Sequence, residues 1–368
     1  MTKILSVIPT LGPGGAETLA SEISIGFRKH GLDSALFAIA GIRGVRGNLL
    51  ENRLRENGVN INIGHGSGFK NVVKNIISIY IFIKSYRPTH VICHLQTSEL
   101  YIFVIYAILF NILNKTIFVR VIHSPIIKNH QKWTALLFRK TVAVSRQTLE
   151  LAAVKLGEAE VLYIPNGCHI DELQTNFSLH NLQEENSESA VRLFCVGSLR
   201  DGMPGVKGLD LSLRALDGLT SLFPVELHIA GTSAEDEKTL EEFRKHNQLT
   251  GNVIYHGQQS SIPECLNRVK PHLCLMPSRS EGESLVLMEY SILGIPVVLS
   301  EIRSFKDMYE ANFDWTFHQN NNAISMIDAI CRRIKDPSSF PDYKMRARYA
   351  FSINNVIKKY LNILSLNN

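Results

Sequence analysis

Short β-branched runs alternate with longer amphipathic stretches along this chain, and that alternation leaves few folds open. KILSVIPTL, SALFAIA, NINIG, HVICHL, TIFVRVIH, TVAVS and VLYIP are apolar at successive positions, as strands buried on both faces are. Between them lie helical stretches such as AETLASEISIGFRKHG, stopped by a glycine, and KNVVKNIISIYIFIKSYRP, stopped by a proline. Strand, helix, strand in repetition builds a parallel sheet with right-handed crossovers.

The pattern breaks at LQTNFSLHNLQEENSESA, residues 173–190, which is polar, acidic and aperiodic and reads as a linker. A second series follows, with VRLFCVG, VELHIAG, NVIYHG, HLCLMP and IPVVLS as strands and GLDLSLRALDGLTSLF, AEDEKTLEEFRKHN and IPECLNRV as helices. The expected fold class is α/β: two doubly wound domains, 1–172 and 191–349, facing across a cleft. A length of 368 residues suits two domains. Open α/β sheets bind ligands beyond the carboxyl ends of their strands, so function is expected there.

Several chemistries are excluded or lack ligands. The six cysteines are scattered, with no Cys-x-x-Cys pair and no cluster with histidine at metal spacing, which points to a reducing cytoplasm. MTKILSVIPTLGPGG reads as a buried first strand rather than a secretory signal. Leu100 to Leu113, the most apolar segment, is shorter than a spanning helix of roughly 20 residues and is expected to be a core helix, with membrane contact as the alternative. Residues 1–170 hold 19 Lys and Arg against 9 Asp and Glu, a net +10 that leaves −5 for the rest. A basic half suits an anionic lipid surface or acceptor. Nucleic acid does not fit, because no binding motif is present. Within this half, Gly41 to Gly58 reads as a loop that presents Arg43 and Arg46 to such a surface.

Two glycine loops follow strands. TLGPGGAET has Gly12 and Gly14, but Glu17 stands where the third glycine of a dinucleotide fingerprint belongs, and the Walker pattern is absent. VGSLRDGMPGVKGLD carries Arg200 and Lys207 beside flexible backbone, a combination suited to a diphosphate. In SRSEGESLVLMEYSILGIPVV, Glu281 and Glu289 lie eight positions apart around the start of a helix whose first N–H groups would face the ligand. Two carboxylates from one continuous segment cannot flank a bond as a glycosidase pair does. They suit paired hydrogen bonds from sugar hydroxyls.

In order along the chain, GPGGAE, VRVIH, AVSRQTLELAAVKLG, VLYIPNG, VGSL with KG, HIAG, VIYHG, PSRSEGESLVLMEYSILGIPVVLSE and FSINNVIKKYLNIL resemble the retaining glycosyltransferases of the two-domain GT-B fold, family 4 of their classification, with the Glu-x7-Glu signature. The resemblance implies a terminal helix, about 350–368, packed back on the first domain. It implies a nucleotide diphosphate sugar donor held by the second domain, with Glu289 on the ribose hydroxyls and Glu281 on the transferred sugar. Backbone N–H groups of Gly282, Glu283, Ser284 and Leu285 would meet sugar and phosphate, and Lys207 would neutralise the diphosphate. Gly14 and Gly15 would close over the phosphates, and His123 would lie near the sugar. His94, which ends the neighbouring strand, reads as structural.

The chain departs from the family at Ser198, where arginine is usual, so Arg200 is the substitute cation. Glu283 and Ser284 replace the common Phe-Gly, and His169 replaces an acid after PNG. No Asp-x-Asp is present, so neither a metal nor a further cofactor is expected. The resulting reading is a cytoplasmic retaining glycosyltransferase, peripheral on the inner face of the membrane, that extends a glycan, lipid-linked and of O-antigen or capsule type. The rival readings are a nucleotide-sugar epimerase of the same fold and a silent sugar-nucleotide-binding subunit. Intact Glu281, Glu289, Lys207 and His123 argue against the silent subunit.

Overall fold

A computed structural model describes residues 2–12, 14–128, 130–134, 136–157, 160–169, 190–199, 202–309, 315–335 and 344–365. The chain divides into two compact units, residues 1–167 with 353–368, and residues 168–352. Residues 173–189 of the linker expected over 173–190 lie outside the described residues, as does Arg200.

The first unit runs β1 (Lys3–Ile8), α1 (Gly15–Lys29), β2 (Asp33–Ala38), α2 (Gly44–Glu56), β3 (Asn60–Ile63), α3 (Phe69–Tyr86), β4 (His90–His94), α4 (Gln96–Ile108), α5 (Phe110–Leu113), β5 (Ile117–Ile122), α6 (His130–Thr134), β6 (Lys140–Ala143), α7 (Arg146–Leu156) and β7 (Val161–Tyr163). The second runs β8 (Val191–Val196), α8 (Leu209–Thr220), β9 (Val225–Ala230), α9 (Ala234–His246), β10 (Asn252–Tyr255), α10 (Ile262–Val269), β11 (Leu273–Met276), α11 (Leu285–Leu293), β12 (Val297–Ser300), α12 (Arg303–Tyr309), β13 (Thr316–His318), α13 (Ala323–Lys335) and α14 (Lys344–Ala350). The chain then returns to the first unit as α15 (Ile353–Ile363).

Both sheets are parallel throughout, ordered β3-β2-β1-β4-β5-β6-β7 and β10-β9-β8-β11-β12-β13. Period two along each strand serves two cores. From β1, Ile4 packs with Leu19, Ile23 and Phe27 of α1, while Leu5 and Val7 pack with Ile79 and Ile83 of α3 and Ile102 and Ile105 of α4. In the second unit, Leu193, Leu227 and Leu275 face α8 and α13, and Phe194, Cys274 and Met276 face α10 and α11. The alternative, a helix on one face only, would leave half of each strand in water.

α15 completes the α1 side of the first core with Val356, Ile357, Tyr360 and Leu361. Gly26 of α1 makes room for it, since a Cβ there would stand 2.2 Å from Ile357 Cδ1.

Two expectations change, and one strand was not foreseen. Leu100 to Leu113 is only half a core helix: it breaks at Leu109 into α4 and α5, and Leu100, Phe103, Val104 and Ile108 are exposed opposite buried Ile102 and Ile105. No helix of the described residues is long and apolar enough to cross a membrane. Gly41 to Gly58 is not an extended loop but mostly α2, anchored by Leu50 and Leu54, with Arg53 held by Glu22 at 3.0 Å and Arg55 by Glu51 at 2.7 Å. β13 escaped the reading because three residues carry no period.

In each sheet the order reverses once, between β1 and β4 and between β8 and β11. At such a switch point the two neighbouring crossovers leave to opposite faces and open a crevice beyond the strand ends. The loops after these four strands carry most of the candidate residues.

Candidate functional site

The loop after β8 and the loop after β11 meet at the switch point of the second unit. Gly208 is where they touch: its φ is +67°, and a Cβ there would lie 2.0 Å from the Pro277 carbonyl oxygen. Only glycine meets both demands. That close approach brings Lys207 Nζ to 2.6 Å from Glu281 Oε1, an oxygen that also accepts a 2.8 Å hydrogen bond from the Ser278 hydroxyl. The Glu281 side chain is 11% exposed and that of Lys207 37%, so the lysine is the more accessible partner.

A residue the sequence reading passed over holds this arrangement. Arg279 donates two hydrogen bonds to the Asp210 carboxylate, at 2.8 and 2.7 Å, one to the Gly205 carbonyl at 2.7 Å and one to Asn321 at 3.0 Å. Its backbone N–H donates to the Val206 carbonyl at 2.8 Å. It therefore ties the lysine-bearing loop and the first turn of α8 to the loop bearing Glu281. The Asp210 hydrogen bonds raise the guanidinium's pKa further, so its charge is committed to this clamp. PSRSEG in the sequence shows an arginine but not that its partner stands 69 positions earlier.

Ser284 caps α11, accepting from Leu287 N–H at 3.4 Å. Glu289 shares the half-buried face of this helix with Leu285 and Val286, while Leu287, Met288 and Tyr290 are buried. Because Cβ atoms tilt toward a helix's N-terminus, Glu289 is directed at the end where the first N–H groups lack intrahelical partners. Gly282 and Glu283 precede that end and are half-buried.

In the first unit, Gly14 caps α1 and Gly15 begins it. The Glu17 carboxylate lies over Gly14, where a Cβ would stand 2.0 Å from its Oε2; a phosphate arriving here must displace it. His94, at the end of β4, places Nδ1 3.1 Å from Nε2 of His123, one residue past β5. His94 Nε2 is buried with no hydrogen-bond partner among the described residues. An orphaned buried N–H costs more than an orphaned lone pair, so the shared proton belongs on His94 Nδ1. His123 then accepts at Nε2 and carries its own proton on Nδ1, which makes it a hydrogen-bond donor to whatever it meets. Burial holds His94 well below its ordinary pKa, the neighbouring His123 adding to the effect, and burial lowers His123 to about 4.

A family model described as glycosyl transferases group 1 matches residues 183–352. Those residues are a group 1 glycosyltransferase domain. The Escherichia coli O-antigen biosynthesis glycosyltransferase WclY is 27% identical over 169 residues, 42% of this chain and 45% of that protein, so the match spans less than half of the relative. Among solved structures, Anabaena HepE in complex with UDP-glucose superposes with a TM-score of 0.79 at 16% identity, covering 99% of this chain and 100% of that one. The lipopolysaccharide outer core galactosyltransferase WaaB, in its apo form, gives 0.71 at 17%, covering 99% of each. These likenesses show the α/β, two-domain GT-B fold. Lys207, Glu281 and Glu289 all lie in the group 1 domain, and His123, Gly14 and Gly15 lie outside the matched residues.

Arg279→Met should destabilise the group 1 domain by about 2 to 4 kcal/mol, because Asp210 is left buried without its cation. Arg279→Met with Asp210→Asn should recover part of that loss, as read from denaturant midpoints. A second expectation concerns acid. His123 binds its proton more weakly folded than unfolded, so stability rises with pH from about 4 to the unfolded value near 6.5 and is lost as pH falls through that window. His123→Asn should flatten the pH dependence of unfolding there by about 1 to 2 kcal/mol.

Proposed function

We propose that this chain is a retaining glycosyltransferase that moves a sugar from a nucleotide diphosphate sugar to a lipid-linked glycan acceptor, in surface-polysaccharide assembly of the O-antigen type. The observation that carries the reading is the Lys207–Glu281 pair beside the α11 N-terminus, at the strand switch point of a group 1 glycosyltransferase domain. Glu281 holds the lysine in this structure. On binding, the diphosphate takes Lys207, and Glu281 turns to accept hydrogen bonds from the sugar's hydroxyls. Glu289 takes the ribose hydroxyls, and the N–H groups of residues 282–285 take phosphate and sugar oxygens.

The bond from the anomeric carbon to the β-phosphate breaks, and a bond to the acceptor oxygen forms on the same face of the sugar. The acceptor's proton ends on the departing phosphate. Lys207 stabilises the charge that grows on that phosphate, with Arg200 as second cation and without a metal or other cofactor. His123, as an N–H donor, orients the sugar, and Gly14 and Gly15 serve the phosphates. A uridine nucleotide is the first donor to try, since HepE was solved with UDP-glucose, and the O-antigen relative supports the acceptor class. The protein works on the cytoplasmic side, peripheral to the membrane.

The test is transfer from a panel of labelled nucleotide sugars to lipid-linked acceptors. Lys207→Ala should lower turnover by about a hundredfold or more with the fold intact by circular dichroism, and EDTA should leave the wild type active. Near-normal turnover by Lys207→Ala would remove this lysine from the mechanism. Interconversion of the free donor without acceptor would replace transferase by epimerase.

A further inference from the structure

The helices on one side of the first unit's sheet present apolar side chains outward as well as inward. Along α3, Phe69, Val73, Ile77 and Ile81 follow one another at four-residue steps, all exposed, so they form a single stripe. On α4, which packs beside α3, every exposed position from Leu100 to Ile108 is apolar: Leu100, Phe103, Val104, Ala107 and Ile108. The surface continues across α6, which touches α4, to Trp133 at 75% and Leu136 at 93% exposure. A surface this apolar on adjoining elements is far more than the scattered leucines of an ordinary exterior.

The charge around it is mostly positive, although exposed Glu150 stands on α7, which packs beside α6. Between residues 57 and 149 the chain holds eleven Lys and Arg and a single carboxylate, Glu99. Glu99 is buried, 3.6 Å from buried Arg120 and hydrogen-bonded by Gln131 and Thr134. No carboxylate from this stretch therefore faces outward. Exposed Lys70, Lys74 and Lys84 stand along the α3 stripe, and Lys128 and Lys132 flank Trp133. α3 itself contains no acidic residue.

We propose that this α3–α4–α6 face docks on the anionic leaflet of a lipid bilayer. Apolar helix faces lying in the plane of an interface sink into the headgroup boundary, an indole favours that depth, and lysine stems reach back to the phosphates. The two halves of the surface, apolar centre and cationic rim, match the two halves of a leaflet. A second copy of the chain matches only one, since a two-fold contact sets each lysine rim against its own image. The Arg43 and Arg46 region takes no part: α2, which follows it, packs with α1 through Leu50 and Leu54, on the side of the sheet away from α3 and α4. This deepens the proposed function, whose lipid-carried acceptor such docking would bring within reach, but it is read without donor or acceptor.

The experiment is cosedimentation of the full chain with vesicles of phosphatidylcholine alone or with about 30% phosphatidylglycerol. The anionic vesicles should bind, and Lys70→Ser and Lys74→Ser should each weaken partition about fivefold. Ile77→Glu with Ile81→Glu, at exposed positions that leave the core untouched, should weaken it at least tenfold. Trp315 is buried, so a blue shift in tryptophan emission on binding would come from Trp133. Equal binding of wild type and the Ile77, Ile81 variant, equal binding to both vesicle types, or an unchanged emission spectrum would overturn the proposal. So would a wild-type dimer that the variant abolishes while vesicle binding is absent. Loss of transfer in a protein that still binds vesicles would count against the proposed function alone.

Discussion

Each site loop depends on the parallel sheet beneath it. A strand buried on both faces can be neighboured in parallel only by crossing over a helix, so all strands of a sheet end at one edge. Where the order reverses, two crossovers diverge and no helix covers the strand ends. Lys207 and Glu281 come from the loops after β8 and β11, the reversing pair, and His94 and the Gly14 turn come from β4 and β1, the reversing pair of the other unit. Neither sheet needs a special residue to make its crevice; the topology makes it.

Within that frame the group 1 domain uses backbone approach to place charge. Gly208 lets the Pro277 carbonyl come close, and Arg279 closes the same gap through Asp210, Gly205 and Val206. A lysine and a carboxylate are thereby kept 2.6 Å apart. The pairing gives each charge a partner of opposite sign. A cation left bare at a helix N-terminus would instead meet the repulsion of the helix dipole.

The first unit has a different electrostatic character. Its titratable pair, His94 and His123, is kept neutral by burial, while its outer helices carry unbalanced positive charge beside apolar side chains. Burial thus leaves this unit with a neutral pair inside and a cationic, apolar exterior.

Period and punctuation made twelve of the thirteen strands of the described residues legible, and motif order brought Lys207, Glu281 and Glu289 forward as candidates, because both are local properties of the chain. Leu100 to Leu113 shows where locality ends: its apolar composition was evident, but which half faces the core depends on β1, β4 and α3. Gly41 to Gly58 fails in the same way, since α2 draws its stability from Leu50 and Leu54 against distant partners more than from propensity. Arg279 could be seen as an arginine, but its role exists only through Asp210, and the tautomer of His123 exists only through His94, 29 positions away. The sequence alone determined the two sheets, their parallel sense and the residue types of the site. Tertiary structure decided which charges meet, which nitrogen holds a proton and which apolar side chains remain in water, because each of those is set by a neighbour that chain order does not reveal.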